Sequence, residues 1–133
     1  MLQGIRIVVV DDDDDARDLL VTVLTQRSAH VYEAECAADA FELLAREQPD
    51  VLISDIAMPE EDGYSLIKRV RQLAADAGGK TPAVAVTAYA GSADRARAIA
   101  AGFDVHFSKP IDIDGLVDKL LDFRSVRDLN RGG

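Results

Sequence analysis

Four apolar runs in the sequence end in side chains that can take part in chemistry. Asp11 and Asp12 begin a run of five aspartates directly after the first. Asp55, Thr87 and Lys109 lie at the ends of three others. Carboxylates that lie close together repel one another, so a site built from them should hold a cation or contain carboxyl groups of raised pKa. Hard oxygen ligands suit Mg²⁺, which needs only one or two carboxylates besides water and phosphate oxygens.

The order of the predicted elements explains how these side chains meet. Five short apolar runs have the character of strands, and several are nearly all apolar, as strands buried on both faces are. They are Ile5–Val10, His30–Ala34, Val51–Ser54, Ala83–Thr87 and Asp104–Phe107. A helical stripe follows each one. Five β-α units predict an α/β fold, a flavodoxin-like doubly wound parallel sheet of order 2-1-3-4-5 with helices on both faces. The carboxyl ends of its strands share one edge, which brings the polar residues together.

Length, composition and charge bound the organisation of the chain. Its 133 residues predict one domain over 1–133, with a core from about 5 to 123 and a loose tail over 124–133. Apolar residues make up 48% and charged residues 29%, which is typical of a globular protein. The 24 acidic against 15 basic residues give a net charge of −9, which disfavours direct binding of nucleic acid.

The sequence also argues against a secreted or membrane-spanning protein. Its single cysteine, Cys36, cannot form an internal disulfide framework or a thiolate metal cluster. No apolar run approaches the roughly 20 residues that span a bilayer. Met1–Gly4 lacks the long apolar region of a signal peptide. We therefore expect a cytoplasmic domain.

The aspartate run also has a simpler structural interpretation. Acidic residues at the start of a helix favour its dipole, which accounts for Asp13, Asp14 and Asp15 without a ligand. This explanation fits Asp11 and Asp12 poorly, because they adjoin a buried strand. The other polar residues could each be turn or surface residues, but their coincidence at one edge favours a site.

Four motifs at the predicted strand ends together resemble the receiver domain of two-component response regulators. They are Val8-Val9-Val10-Asp11-Asp12, Asp55-Ile56-Ala57-Met58-Pro59 with Asp62-Gly63, Val86-Thr87-Ala88, and Lys109-Pro110. Each motif alone is weak, whereas all four in order over about residues 5–123 are specific. Several stretches, including Leu2-Gln3-Gly4, are similar to receivers fused to hybrid sensor histidine kinases. The chain fits either a stand-alone receiver or a segment of such a kinase.

The resemblance implies a role for each matched residue. Asp55 is implied to be the phosphoacceptor, Lys109 to pair with the phosphoryl group, and Thr87 to supply a switch hydroxyl. The implied ligands of Mg²⁺ (or Mn²⁺) are Asp11, Asp12, Asp55 and the backbone carbonyl of Ala57. The Lys109–Pro110 peptide bond is predicted to be cis, partly because this bond is commonly cis in the family that the chain resembles. The other reason is that the lysine has to turn back over the sheet edge.

The implied function is phosphotransfer signalling. The donor would be a phosphohistidine on a sensor histidine kinase or a histidine phosphotransfer protein. The domain would catalyse its own phosphorylation and dephosphorylation on Asp55 rather than turn over a separate substrate. A carboxylate that attacks phosphorus approaches another anion, so a metal ion and the Lys109 ammonium have to neutralise the charge.

One position departs from the family pattern. In the family, an aromatic ring three residues before the lysine often moves into the space that the switch hydroxyl vacates, and here that position is His106. We expect His106 to be a surface or half-buried strand residue whose motion could depend on pH. Activation is expected to shift the Thr87–Gly91 loop and the face formed by the fourth helix, fifth strand and fifth helix. A homodimer could form through the same face.

Other functions of this architecture fit the sequence less well. An FMN site would place phosphate beside five aspartates, which repel it. The chain lacks a G-x-x-x-x-G-K-[ST] loop, and an EF-hand beginning at Asp11 would have Ala16 where glycine is required. A phosphatase with an aspartate nucleophile would need a second acid at Ala57. The alternative that stays open is a receiver-like docking module that is never phosphorylated.

Overall fold

The structure is a computed structural model that describes residues 1–88 and 91–132. The strands are β1 (Arg6–Val10), β2 (His30–Ala34), β3 (Val51–Asp55), β4 (Ala83–Thr87) and β5 (Val105–Ser108). The helices are α1 (Asp14–Gln26), α2 (Ala37–Glu47), α3 (Gly63–Arg71), α4 (Ser92–Ala101) and α5 (Ile113–Gly132), with a 3₁₀ turn at Ala75–Ala77. All paired strands are parallel and their order is β2-β1-β3-β4-β5, which confirms the predicted fold.

Each face of the sheet carries its own hydrophobic core. Successive residues of a strand point to opposite faces. Val8 and Val10 pack with buried residues of α2, α3 and α4, on what we call the α2–α4 face. Ile7 and Val9 pack with buried residues of α1 and α5, on the α1/α5 face. Because the alternation continues to the strand ends, it decides which face each polar residue reaches.

The start of α1 confirms the structural interpretation of the later aspartates. The Asp13 carboxylate accepts hydrogen bonds from the backbone N–H groups of Asp15 (3.0 Å) and Ala16 (3.2 Å). Asp14 and Asp15 form the acidic first turn. A side-chain cap of this kind stabilises a helix by about 1 kcal/mol. The helix therefore begins where the aspartate run provides both a cap and a favourable charge.

The prediction of a loose tail over 124–133 is corrected by α5, which continues to Gly132. Arg124 donates hydrogen bonds to the backbone oxygens of Met1 (3.0 Å) and Gln3 (3.2 Å). Arg127 donates to the backbone oxygen of Gly4 at 3.0 Å and pairs with the Asp50 carboxylate at 3.0 Å. These contacts hold the last turns of α5 against the amino-terminal end of the sheet.

Several strand ends differ from the prediction by one residue, and two of these differences involve polar residues. β3 includes Asp55, so this residue belongs to the ladder instead of following it. β5 begins at Val105 because Asp104 has another role. The Asp104 carboxylate accepts a hydrogen bond from the backbone N–H of Ala83 at 2.7 Å, so the first N–H of β4 has a partner.

Gly63 allows the first turn of α3 to approach the end of β3. Its backbone N–H donates to the carbonyl oxygen of Ile56 at 2.8 Å. A Cβ at this position would lie 2.5 Å from the carbonyl oxygen of Asp55 and 2.9 Å from the Cα atom of Ile56. Both neighbours are backbone atoms, so a larger residue would displace the strand end that carries Asp55.

We predict that Gly63→Ala lowers the free energy of unfolding by about 2 kcal/mol, in the usual range for overpacking. Urea denaturation followed by circular dichroism measures the change. Gly91→Ala is the matched control, because a Cβ there would meet only the end of the Asp94 side chain, at 3.1 Å. Equal losses in the two variants would contradict a specific close approach at Gly63.

Candidate functional site

A lysine and two carboxylates meet at the carboxyl edge of the sheet. The Lys109 ammonium lies 3.2 Å from Asp11 Oδ2 and 3.7 Å from Asp55 Oδ2. The Asp11 and Asp55 side chains are 10% and 7% exposed. Asp11 follows Val9 and Asp55 follows Ile53 by two residues, so both belong to the α1/α5 face. The sequence prediction that these three residues converge is confirmed.

Asp12 joins the two carboxylates in a group that could hold a metal ion. One carboxylate oxygen each from Asp11, Asp12 and Asp55 lies within 4.8 Å of the others. Asp12 is exposed, whereas Asp11 and Asp55 are buried. Three hard oxygen donors that crowd this closely fit a divalent cation such as Mg²⁺. Ala57 lies in the loop after β3, and the role of its carbonyl as a further ligand stays a prediction.

Burial and the neighbouring carboxylate of Asp11 favour the protonated form of Asp55. Burial raises the pKa of Asp55 to about 6, and the Asp11 carboxylate acts in the same direction. The Lys109 ammonium and the hydrogen bond from the Ile56 N–H, at 2.9 Å, oppose the rise without cancelling it. The site therefore carries more negative charge than one lysine compensates, which is the condition under which a divalent ion binds.

Lys109 is directed to the site by the turn after β5. The Lys109–Pro110 peptide bond is cis, as predicted from the sequence. The backbone N–H of Lys109 donates to the carbonyl oxygen of Thr87 at 2.8 Å, which continues the pairing of β5 with β4. Burial alone would lower the pKa of Lys109, but the carboxylates of Asp55 and Asp11 outweigh it and raise this pKa. The lysine therefore stays charged at neutral pH.

Thr87 and His106 lie on the other face of the sheet. Thr87 is buried at the end of β4 and follows Ala85, a member of the α2–α4 core, by two residues. His106 pairs in register with Ala85 and is half-buried, as the sequence predicted. The buried His106 Nε2 has no hydrogen-bond partner among the described residues. Burial lowers the pKa of His106, and the nearby Arg95 lowers it further against the opposing effect of Asp94.

The roles of Thr87 and His106 in a switch stay predictions. The same holds for the expected shift of the Thr87–Gly91 loop, since residues 89 and 90 lie outside the described residues.

Two concave surfaces adjoin the site, one on each face. A groove of about 270 Å³ on the α1/α5 face is lined mainly by apolar side chains and reaches Asp55 and Lys109. Leu19, which is 66% exposed, lines this groove. A cleft of about 320 Å³ on the other face contains Thr87, and Arg97 lines it next to Tyr64, with its guanidinium 4.0 Å from the centre of the tyrosine ring. The Asp55 carboxylate and the Thr87 hydroxyl therefore adjoin different surfaces.

Sequence reasoning missed Arg17, which is buried beside the aspartate run. The signal was present, because Arg17 is the first basic residue after five aspartates and follows Asp14 by three positions on one helix face. What no local pattern could show is its contact with the backbone of Asp11.

Residues 7–121 match the family described as the response regulator receiver domain. The chain belongs to this family. The receiver domain is 50% identical over 111 residues to an uncharacterized 14.6 kDa protein in the sodA1 3′ region of Leptolyngbya boryana, covering 84% of this chain and 83% of that protein. It is also 37% identical over 114 residues to the sensor histidine kinase RcsC of Salmonella typhi, covering 86% of this chain and 12% of the kinase.

A solved structure shows the same fold. The receiver domain of the Francisella response regulator 1452 aligns with a TM-score of 0.84 at 23% identity, over 93% of this chain and 99% of that one. Among the described residues of the receiver domain, no helix is both long and apolar enough to span a bilayer.

The raised pKa of Asp55 predicts how the free energy of unfolding of the metal-free protein changes with pH. The pKa is near 4 in the unfolded chain and about 6 in the fold. The fold therefore loses stability as the pH rises from about 4 to 6, and above that range the loss is complete. At about 1.4 kcal/mol per pKa unit, Asp55→Asn should be on the order of 3 kcal/mol more stable than the wild type at pH 7.

Urea denaturation at pH 4 and pH 7 tests this difference, which should be small at the lower pH because protonated Asp55 resembles asparagine. Asp118→Asn, at an exposed carboxylate of α5, is the control and should change stability little at either pH. If the wild type is as stable as Asp55→Asn at pH 7, the crowded carboxylates do not raise the pKa of Asp55 in the folded protein.

Binding of Mg²⁺ should distinguish the early from the late aspartates. Asp12→Ala is expected to weaken Mg²⁺ by at least tenfold, because it removes one of three oxygen donors. Asp14→Ala should weaken it less than twofold, since Asp14 pairs with Arg17 at 2.6 Å and lies outside the cluster. Calorimetric titration measures both affinities. Equal weakening would mean that the run acts as a diffuse charged surface.

Proposed function

We propose that this receiver domain accepts a phosphoryl group from a phosphohistidine donor onto Asp55 and relays the signal by a conformational change. One observation supports this proposal more than the others do. Lys109 contacts both Asp11 and Asp55, and a third carboxylate completes a group suited to a divalent ion. A nucleophile, a cation and a metal-binding group thus occupy one small region.

Compensation of negative charge explains why Asp55 is the acceptor in this proposal. A carboxylate reacts with a phosphoryl group only if the negative charge of both is compensated. Asp55 is next to the Lys109 ammonium and inside the carboxylate group, whereas Asp13, Asp14 and Asp15 cap or begin α1. With its pKa near 6, Asp55 is ionised and nucleophilic at neutral pH.

The reaction moves one phosphoryl group between two nucleophiles. An oxygen of the Asp55 carboxylate forms a bond to phosphorus while the bond from phosphorus to the donor's imidazole nitrogen breaks. The nitrogen keeps the bonding electron pair, so the donor is left as a histidine and Asp55 as an acyl phosphate. Mg²⁺, when bound, neutralises charge on the phosphoryl oxygens. Lys109 does the same from the other side and holds the product in place.

The relay follows from the new charge. The phosphoryl group adds about −1.5 to −2 charges and strong acceptor oxygens. Thr87 ends the strand next to β3, one residue beyond Val86, which pairs in register with Asp55. Its hydroxyl can then move towards the phosphoryl oxygens, which changes the packing around His106 and α4.

The relatives support a kinase as the source of phosphate. RcsC and the hybrid signal transduction histidine kinase D of Dictyostelium discoideum are named as histidine kinases, and this chain spans 12% and 8% of their lengths. A phosphohistidine donor made from ATP supports a cytoplasmic location for the domain. Dimerisation through α4, β5 and α5 stays a prediction.

Intact-mass spectrometry with acetyl phosphate and Mg²⁺ tests the proposal. The wild type should gain one phosphoryl group, because the domain itself supplies positioning and charge compensation. Asp55→Asn should gain none, since it keeps the shape and removes the nucleophile. Chelation of divalent ions should abolish uptake by the wild type.

Asp15→Asn is the matched control, because it removes an exposed carboxylate of the aspartate run and should be labelled like the wild type. Unchanged uptake by Asp55→Asn would overturn the assignment of the acceptor. No uptake by the wild type from acetyl phosphate or from a phosphorylated histidine kinase would favour the docking module instead.

A further inference from the structure

Arg17 forms an unusual set of contacts behind the acidic end of β1. Its side chain is 8% exposed, and one guanidinium nitrogen donates to the backbone carbonyl oxygen of Asp11 at 2.7 Å. The same guanidinium pairs with Asp14 at 2.6 Å and with Glu33 at 3.3 Å, and it lies 3.7 Å from Glu35. It therefore connects the end of β1 with the first turn of α1 and the end of β2.

The contact with Asp11 differs from the others. Asp14, Glu33 and Glu35 are 75%, 48% and 76% exposed, so water weakens these three ion pairs. The hydrogen bond to the Asp11 carbonyl is buried, and a buried carbonyl that loses its donor is left with its full cost of desolvation. The exposed carboxylates compensate the charge of the guanidinium, while its buried hydrogen bond constrains the backbone.

That hydrogen bond constrains the peptide unit between two of the candidate metal ligands. The carbonyl of Asp11 and the backbone nitrogen of Asp12 belong to one planar group. A guanidinium that holds the carbonyl oxygen therefore sets the plane from which the Asp12 side chain departs. The Asp11 carboxylate is oriented separately, by the Asp13 N–H at 2.9 Å and by Lys109 at 3.2 Å.

We propose that Arg17 is a positioning residue that orients Asp12 through the Asp11–Asp12 peptide and thereby sets the affinity of the site for Mg²⁺. This inference rests on the proposed function, because it takes the carboxylate group as a metal site. Arg17 acts through its hydrogen bond to the backbone and, being a cation, does not bind the ion. Loss of residues that orient metal ligands typically weakens binding by about 10- to 100-fold.

Calorimetric titration of Mg²⁺ into metal-free protein, well below the melting temperature, measures the effect without any phosphoryl transfer. Arg17→Gln should weaken Mg²⁺ by about tenfold. Arg17→Lys should weaken it nearly as much, because an ammonium keeps the charge but cannot bridge the carbonyl and the carboxylates as a planar fork does. Phosphoryl uptake by both variants should approach the wild-type rate when Mg²⁺ is raised to saturation.

Arg71→Gln is the matched control. Arg71 is also a largely buried arginine that donates to backbone carbonyls, those of Gly102 (2.9 Å), Gly79 (3.0 Å) and Thr81 (2.7 Å), but it lies at the amino-terminal ends of β4 and β5. Its loss should lower the melting temperature and leave the affinity for Mg²⁺ unchanged. A purely structural role of Arg17 would give the same result.

The outcomes distinguish the positioning role of Arg17 from the metal site on which it rests. Wild-type affinity in Arg17→Gln, or equal weakening in Arg71→Gln, would overturn the positioning role while the metal site stands. Wild-type affinity in Arg17→Lys would show that charge alone suffices and would also overturn it, and this variant decides the question if Arg17→Gln does not fold. A wild type that binds no Mg²⁺ would overturn the proposed metal site and this inference with it.

Discussion

The contact of Lys109 with Asp11 and Asp55 is the interaction on which the rest of the site depends. Two buried carboxylates on neighbouring strands repel each other, and the low polarity around them strengthens that repulsion. The ammonium offsets part of it, yet the pKa of Asp55 stays near 6. Repulsion between the two carboxylates therefore destabilises the fold at the carboxyl edge of the sheet. A divalent ion held by these carboxylates would offset the remaining repulsion, which is why the group suits a cation.

The alternation of residues along the strands separates the candidate site residues between the two faces of the sheet. Asp11 and Asp55 belong to the α1/α5 face, where an apolar groove reaches Asp55. Thr87 and His106 belong to the α2–α4 face. Within α4, Ala98 is the one buried residue among those described, and it belongs to the same core as Ala85, which pairs in register with His106.

Arginines, one buried and two half-buried, stabilise both ends of the sheet by binding backbone carbonyls. Arg17 serves the carboxyl edge, whereas Arg71 and Arg127 serve the amino edge. A guanidinium can donate several hydrogen bonds in one plane, so a single side chain can join a strand end to two neighbouring segments. At the carboxyl edge the same device lies next to the candidate metal ligands, where rigidity of the backbone also affects binding.

The sequence by itself determined the fold, because apolar runs and helical stripes report the burial of residues two to four positions apart. It also determined that Asp11, Asp55 and Lys109 would share one edge, since parallel strands end together. Only the tertiary structure decided the contacts between distant segments. The helical state of the chain beyond Arg124 depends on carbonyls more than 120 positions away. The link of Arg17 to the Asp11 backbone depends on how α1 packs against β1. Such contacts arise from packing in three dimensions, and no local pattern of residue types encodes them.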